Sequence, residues 1–190
     1  MNCREAPTSR IHRPNYALLC WLLCLSPFFQ GGTAWGLEIE VYYSPEDAPL
    51  NRLISLYGSA KRYIFVSVYG LTAPPVVVAL VAAKKRGVDV RLITDRERAL
   101  EPKQRSAMRT LHLAGIPIMV GQHDGLMHVK QAVIDDEVNI SGSMNHTTSG
   151  NRYNDERMDV LRDHATTVKA REKFLSMWAD HKRYRVWNDD

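Results

Sequence analysis

The sequence predicts an α/β protein with a central mixed, largely parallel β-sheet and helices on both sides of it. Apolar runs typical of buried strands alternate with segments whose apolar residues recur at helical spacing. Between residues 63 and 94 a strand, a helix and a second strand follow one another, which implies a parallel strand pair with a right-handed crossover. A chain of 190 residues is long enough for one domain with its own hydrophobic core.

Capping residues and hydrophobic spacing place the elements along the chain. Ser44 and Pro45 suit the N-cap and the first position of one helix. Pro74 opens a second helix, and Gly87 ends it. The predicted strands cover residues 37–43, 63–69, 88–94, 116–120, 130–134, 138–141 and 157–161. The predicted helices cover residues 44–60, 74–86, 104–114 and 165–182, and residues 95–103 and 143–155 are predicted loops.

The bulk composition excludes few functions. The formal net charge is +4, which is too small to indicate a polyanionic partner by itself. All three cysteines lie within the first 24 residues, so the rest of the chain can hold neither a disulfide nor a cysteine-ligated zinc ion.

Residues 1–34 have the pattern of a secretory signal peptide. Basic residues come first, an apolar run extends from Ala17 to Phe29, and small residues lead up to Ala34. The run is shorter than the roughly 20 residues that a membrane-spanning helix needs. We therefore expect a cleaved signal that exports the domain of residues 35–190 to the periplasm or the medium. An uncleaved N-terminal membrane anchor is the alternative.

A polar cluster is expected where the predicted hairpin returns to His128. Lys130 follows His128 by two residues, so on a strand both side chains project from the same face. The turn that begins at Asp135 sends the chain back and brings Ser143 and Asn145 beside His128. A histidine next to a fixed positive charge and several hydrogen-bond donors suits a phosphate group.

The complete motif is far more specific than a His-x-Lys pair. The string His-x-Lys-(x)4-Asp-(x)6-Gly-Ser-x-Asn extends from His128 to Asn145, and it is identified as the signature of the phospholipase D superfamily. The segments Leu80–Val90 and Gly115–Pro117 resemble one branch, the small bacterial Nuc-type endonucleases. This resemblance covers roughly residues 38 to 188 and implies the phospholipase D/nuclease fold.

The resemblance also implies a mechanism. Phosphodiester bonds would be hydrolysed through a covalent phosphohistidine on His128, without a metal ion or other cofactor. Neutral imidazole is a good nucleophile at neutral pH. Lys130, Ser143 and Asn145 would bind the phosphate oxygens. Because the chain has a single copy of the motif, the resemblance implies a homodimer with the active site at the two-fold interface.

Two acidic residues complete the candidate catalytic set. Asp135 belongs to the signature, but it lies seven positions after His128, an odd offset, so we expect it to point away and brace the turn. Its role as a simple turn former stays open. Glu156 lies where relatives carry an acid that orients the nucleophilic histidine, and it is therefore the candidate partner of the His128 ring. The alternative for Glu156 is a solvated loop acid.

Two other histidine positions leave alternatives. His146 stands where relatives commonly have an aromatic residue, and it could contact the phosphate or lie at the rim of the site. His123, Asp124 and His128 could bind a metal ion only if their loop folds back, so we do not expect a metal site there.

Basic residues after the third predicted strand indicate a polyanionic substrate. They lie at the carboxyl edge of the sheet and, with residues 84–86, could line a groove for a sugar-phosphate backbone. Interleaved acids also permit an ordinary solvated face. The residues are Arg96, Arg98, Lys103, Arg105 and Arg109. The main hypothesis is a non-specific endonuclease acting on DNA or RNA. The alternatives are a phospholipase D that releases the head group of phosphatidylcholine-type lipids, and an inactive binding module.

Overall fold

Eight strands in one mixed sheet form the framework of residues 37–189, the part of the chain that this computed structural model describes. The predicted signal segment, residues 1–34, lies outside the described residues. The strands are β1 (Glu38–Ser44), β2 (Tyr63–Val68), β3 (Asp89–Thr94), β4 (Ile118–Gly121), β5 (Lys130–Ile134), β6 (Val138–Gly142), β7 (Glu156–Arg162) and β8 (Tyr184–Val186). The helices are α1 (Leu50–Ser59), α2 (Pro74–Lys85), α3 (Arg96–Leu100), α4 (Pro102–Leu113), α5 (Thr148–Arg152) and α6 (His164–Ala179).

The sheet has the strand order β1-β7-β6-β5-β2-β3-β4-β8. β2, β3 and β4 pair in parallel, and every other neighbouring pair is antiparallel. The prediction of a mixed sheet in an α/β fold is confirmed, but the expectation of a largely parallel sheet is wrong. Among neighbouring strands, only the pairs β2–β3 and β3–β4 are joined through crossover helices, whereas β5 and β6 form a tight hairpin, which parallel pairing does not allow.

Helices cover both faces of the sheet, as predicted. Strand side chains alternate, so Ile64 and Val66 face α1, α2 and α4, while Phe65 faces α6. On the α6 side the rings of Phe65 and Phe174 stack with centroids 4.8 Å apart. Burial of β2 on both faces explains its nearly continuous apolar sequence. No helix of residues 37–189 is both long and apolar enough to cross a membrane.

The predicted start of the first helix is wrong. Ser44 is the last residue of β1, and its hydroxyl donates a hydrogen bond of 2.6 Å to the Gly150 carbonyl. The helix begins at Leu50, whose backbone N–H donates to the Asn151 side chain at 2.8 Å. The acceptor that satisfies the helix N-terminus thus comes from α5, a helix within the segment predicted to be a loop. The local sequence predicted Ser44 as an N-cap, but its hydroxyl is used in a contact with a distant segment of the chain.

His146 lies in the core, where it lines a small cavity together with Lys130 and Gly142. This burial fits neither the phosphate contact nor the exposed rim position expected from the sequence. Its side chain is buried, and its ring lies 6.4 Å from the Tyr57 ring, edge-on. Its backbone N–H donates to the Gly70 carbonyl, and its carbonyl accepts from Thr72 and Ala73. Burial lowers the pKa of His146 to about 4, because the imidazolium form would lose its hydration.

We predict that His146 makes the fold sensitive to acid. A histidine with a lowered folded-state pKa contributes full stability above its unfolded pKa near 6.5, and this contribution is lost as the pH falls toward 4. At about pH 5 the loss should be about 2 kcal/mol. Urea unfolding followed by circular dichroism at about pH 7 and about pH 5 measures it.

The substitution His146→Phe keeps a planar ring and removes the titrating nitrogens, so this variant should lose less stability on acidification than the wild type. His181→Phe, at an exposed histidine, is the matched control and should follow the wild type. Equal acid sensitivity of the wild type and His146→Phe would contradict the prediction.

Candidate active site

Every signature residue except Asp135 lies at the edge of the sheet where β2 and β6 end and β5 begins. Lys130, the first residue of β5, pairs with Val68, the last residue of β2. Gly142 ends β6, so the chain passes directly from that strand to Ser143 and Asn145. A pocket of about 430 Å³ lies at this edge. It is lined by His128, Lys130, Gly142, Ser143, Asn145 and Glu156.

His128 and Lys130 are in direct contact. The Lys130 ammonium lies 3.0 Å from Nδ1 of His128 and donates to the His128 carbonyl at 2.8 Å. An ammonium has no acceptor capacity, so a neutral His128 in this arrangement accepts at Nδ1 and carries its proton on Nε2. Burial lowers the pKa of Lys130, and the Glu156 carboxylate opposes that shift.

Asp95 fixes the backbone on the N-terminal side of His128. Its buried carboxylate accepts from the Met127 N–H at 2.9 Å with one oxygen. Its other oxygen accepts from the Glu97 N–H at 2.9 Å and caps α3. On the other side of His128, the Tyr69 N–H donates to the Val129 carbonyl at 3.1 Å. The histidine is therefore held at both flanks by the ends of the neighbouring strands β2 and β3.

Tyr69 forms one wall beside the histidine. Its ring centroid lies 4.8 Å from that of His128, and the Lys130 ammonium lies 5.2 Å from the same centroid. A cation over an aromatic face is attracted by the ring quadrupole. Sequence reasoning missed both Tyr69 and Asp95. Their positions could have indicated a role in the site, because each residue directly follows a buried parallel strand at the carboxyl edge of the sheet.

Asn145 has its amide orientation fixed by the backbone. Its Oδ1 accepts from the Gly70 N–H at 2.9 Å, which leaves the NH2 group as the free donor end. This donor end belongs to the lining of the pocket that also contains Lys130. Asn145 can therefore donate to an anion that the Lys130 ammonium attracts.

Ser143 and Glu156 are engaged with each other. The Ser143 hydroxyl donates to Glu156 and accepts from the Arg157 N–H at 3.1 Å. The second carboxylate oxygen of Glu156 accepts from the Asn154 amide at 3.1 Å. Glu156 lines the same pocket as His128, but its hydrogen-bond partners are Ser143 and Asn154. Nδ1 of His128 is in contact with Lys130 instead. The predicted pairing of Glu156 with the His128 ring stays a prediction.

Asp135 lies at the far end of β5 from Lys130 and outside the lining of the pocket. Its carboxylate accepts from the backbone N–H groups of Lys61, Arg62 and Tyr63 at 2.7, 2.8 and 2.8 Å. Its φ angle is +56°, in the left-handed region that the tight β5–β6 turn requires. This geometry gives Asp135 a structural role that joins the hairpin to the start of β2.

The proposed basic groove is wrong in one part. Residues 84–86 end α2 and lead into the start of β3, whereas Arg98 follows the end of β3. Because β3 is six residues long, about 20 Å separates the two groups. Arg86 also donates to the Tyr57 carbonyl at 2.8 Å and so supports the packing of α1 against α2. Arg98, in contrast, lies beside the pocket, with its guanidinium 5.4 Å from the Tyr69 ring.

His123, Asp124 and His128 do not form a metal-binding cluster in the structure. Among residues 37–189, no three His, Cys, Asp or Glu side chains are arranged to hold a metal ion. His123 instead contacts the Tyr184 ring edge-on at 5.7 Å.

Comparisons with known proteins agree with the site. A family profile described as "Cardiolipin synthase, PLD-like domain" matches residues 53–178. Nuc from Salmonella typhimurium, a phospholipase D family member of solved structure, is 29% identical with a TM-score of 0.75, and the match covers 80% of this chain and 99% of that one. Mitochondrial cardiolipin hydrolase from Xenopus laevis is 32% identical over 136 residues, and phospholipase D from Rickettsia felis is 30% identical over 146 residues.

The matched region covers 71% of this chain and 63% of the cardiolipin hydrolase, and 76% of this chain and 70% of the Rickettsia enzyme. The chain thus spans less than two thirds of the length of the curated hydrolase. The family profile extends over more than half of the chain and includes every residue of the signature. The resemblance to the Nuc-type branch is confirmed, and the chain belongs to the phospholipase D-like family.

Proposed function

We propose that this protein is a phosphodiester hydrolase that acts as a non-specific endonuclease on DNA or RNA. The main observation in favour of a hydrolase is that one pocket brings together four polar side chains. They are His128, Lys130, Asn145 and Glu156. The resemblance to Nuc supports nucleic acid as the substrate. The basic residues Arg96 and Arg98, which follow β3 at the same edge of the sheet, support it further.

The first step is nucleophilic attack by His128 on phosphorus. A phosphate in the pocket draws the Lys130 ammonium away from Nδ1, because a charged oxygen is the stronger acceptor. Nδ1 can then carry the ring proton, and this N–H donates a hydrogen bond to Glu156, the carboxylate in the same pocket. This tautomer leaves the Nε2 lone pair free. The N–P bond forms while the bond from phosphorus to the leaving oxygen breaks.

Lys130 and Asn145 stabilise the charge that develops on the phosphate. The ammonium supplies the positive charge, and the Asn145 NH2 group supplies a hydrogen-bond donor whose direction is fixed by Gly70. Such preorganised groups can supply the electrostatic stabilisation that a metal ion provides in other phosphodiesterases. We therefore include metal independence in the proposal.

The leaving oxygen needs a proton, and the second step needs a base that activates water. One histidine in the signature cannot serve as nucleophile and as acid at the same time. We propose a homodimer in which His128 of the partner subunit protonates the leaving oxygen. The same ring then accepts a proton from water, and the hydroxide displaces His128 from phosphorus.

A phospholipase D function is the second candidate, and a neighbouring pocket favours it. This pocket of about 620 Å³ shares Ser143 and Glu156 with the candidate active site. Three further carboxylates line it, together with one aromatic ring and one cation. These residues are Tyr43, Glu46, Asp47, Asp155 and Arg157. An excess of negative charge beside an aromatic ring suits a cationic leaving group such as choline, and the cardiolipin hydrolase and phospholipase D relatives support a lipid substrate.

Export remains part of the proposal. It rests on the sequence of residues 1–34 alone, which predicts a periplasmic or secreted protein or, as the alternative, one held by an uncleaved anchor.

A substrate panel in EDTA tests the proposed function. The purified protein should nick plasmid DNA in the presence of the chelator, and faster than it releases choline from phosphatidylcholine vesicles. His128→Ala removes the nucleophile and should lower the rate by about a thousandfold or more. His181→Ala, at an exposed histidine, is the control. Head-group release without cleavage of DNA would select the lipid function, and full activity of His128→Ala would rule out the phosphohistidine.

Subunit mixing tests the shared active site. Wild-type and His128→Ala protein are refolded together in varied ratios at constant total concentration, and the rate is plotted against the wild-type fraction. If each site needs both histidines, only wild-type homodimers are active and the rate follows the square of that fraction. With a threefold excess of the variant, about one sixteenth of the activity should remain, instead of about one quarter. A linear dependence would mean that each subunit works alone.

Asp95 should act as a positioning residue. In Asp95→Ser the short hydroxyl can still cap α3 but cannot reach the Met127 N–H, so the loop that carries His128 loses its anchor. We expect kcat to fall roughly tenfold or more with KM nearly unchanged. Asp163→Ser, which shortens the N-cap of α6, is the matched control and should keep its kcat. Equal kcat values for the two variants would leave Asp95 with a capping role alone.

A further inference from the structure

Arg98 presents a guanidinium beside the active site that the proposed mechanism does not use. It lies on α3, directly after β3, and its Nη1 pairs with Glu101. Its guanidinium carbon lies 5.4 Å from the centroid of the Tyr69 ring. The ion pair and the cation–π contact together hold the side chain in one orientation.

One edge of this guanidinium has no partner. Within residues 37–189, Arg98 makes its side-chain hydrogen bond through Nη1, and its Nε is buried without an acceptor. A buried N–H without a partner is costly, and the cost is greater on a charged group. Nε and Nη2 form the side-on fork of an arginine, whose two donors match two oxygens of a phosphate. Nη2 is therefore the donor left for an outside anion, and Nε can take part only when the guanidinium shifts out of its buried position.

The free edge lies next to the group that binds the scissile phosphate. A side chain at Gly70 would lie 3.5 Å from Nη2 of Arg98 and 3.5 Å from the Asn145 amide, so the two groups flank the same glycine. The Tyr69 ring, in contrast, contacts both His128, at 4.8 Å, and the guanidinium. Arg98 is thus a neighbour of the pocket but lies on the far side of an aromatic ring from the attacking nitrogen.

We propose that Arg98 binds the phosphate next to the scissile one, so that the site recognises two consecutive phosphates of a nucleic-acid strand. The inference rests on the proposed nuclease function and specifies its substrate. Successive phosphates of a strand are several ångströms apart, which matches a second cation set beside the first and separated from the nucleophile by one ring. An isolated phosphodiester has no group for this edge to bind.

Kinetics on substrates with one phosphate and with several test the proposal. The full-length protein is assayed with bis(p-nitrophenyl) phosphate, with a thymidine dinucleotide that has one phosphodiester, and with a thymidine decanucleotide. Arg98→Gln should lower kcat/KM on the decanucleotide by roughly 10- to 100-fold, the effect of losing a hydrogen-bonded charge contact. This loss should be at least about ten times larger than the loss on either substrate with one phosphate. The slope of log kcat/KM against log salt for the decanucleotide should fall by about 1.

Two further variants separate this role from general effects of charge and folding. Arg96→Gln removes the same charge from an exposed position on the same helix and should lower the decanucleotide rate much less. Arg98→Lys keeps the positive charge but lacks the two parallel N–H donors of arginine. Its preference for the longer substrate should therefore fall less than that of Arg98→Gln. Because it keeps the ion pair with Glu101, it also serves if Arg98→Gln does not fold.

The outcomes are distinguishable. Equal losses on all three substrates would mean that Arg98 acts on the scissile phosphate itself or only supports the Tyr69 ring. Either result would overturn the proposal. Equal effects of Arg96→Gln and Arg98→Gln would mean that Arg98 contributes only its positive charge and no specific contact. This result would overturn the proposal as well. A wild-type protein that hydrolyses bis(p-nitrophenyl) phosphate but no oligonucleotide would overturn the nuclease function itself, and this inference with it. Wild-type cleavage of the decanucleotide without an effect of Arg98 would overturn the inference alone.

Discussion

The pairing register between β2 and β5 is the constraint on which the active site depends. A slip of one residue would turn Lys130 to the opposite face of the sheet and separate it from Asn145. Asp135 fixes this register from the other end of β5, because its carboxylate accepts three consecutive backbone N–H groups at the start of β2. The aspartate of the motif thus supports the pocket by placing a strand, and it does not line the pocket itself.

The sequence predicted those parts of the fold and site that depend on local spacing. The shared face of His128 and Lys130, the hairpin after them and the buried strand β2 all follow from residue periodicity. The parts that sequence reasoning missed depend on contacts between distant segments. Ser44 caps no helix because it bonds to Gly150, and Asp95 is a site residue only because β3 ends beside the loop that carries His128. The sheet is less parallel than expected because the prediction came from one strand–helix–strand unit, residues 63–94. That unit does not determine how the other strands pair with it.

The charges around the pocket are arranged in two groups on opposite sides. Lys130 and Arg98 both contact the Tyr69 ring, so the cations gather near the ends of β2 and β3. The carboxylates of Glu46, Asp47 and Asp155 gather on the other side, beyond Glu156. A phosphodiester in the pocket therefore meets attraction on one side and repulsion on the other. This polarity fixes the direction in which an asymmetric substrate can bind, whichever alcohol leaves.

The pocket is lined by residues of β5, β6 and β7 and of the adjoining loops, and the segments that follow β2 and β3 support it, so it depends on parts of the chain that are far apart in sequence. The contact between Asp135 and Tyr63, for example, joins residues separated by 72 positions. Such non-local pairings form late in folding, because the intervening chain must be ordered first. An incompletely folded chain consequently has the signature but no catalytic pocket. The proposed activity against phosphodiesters therefore requires the completed sheet.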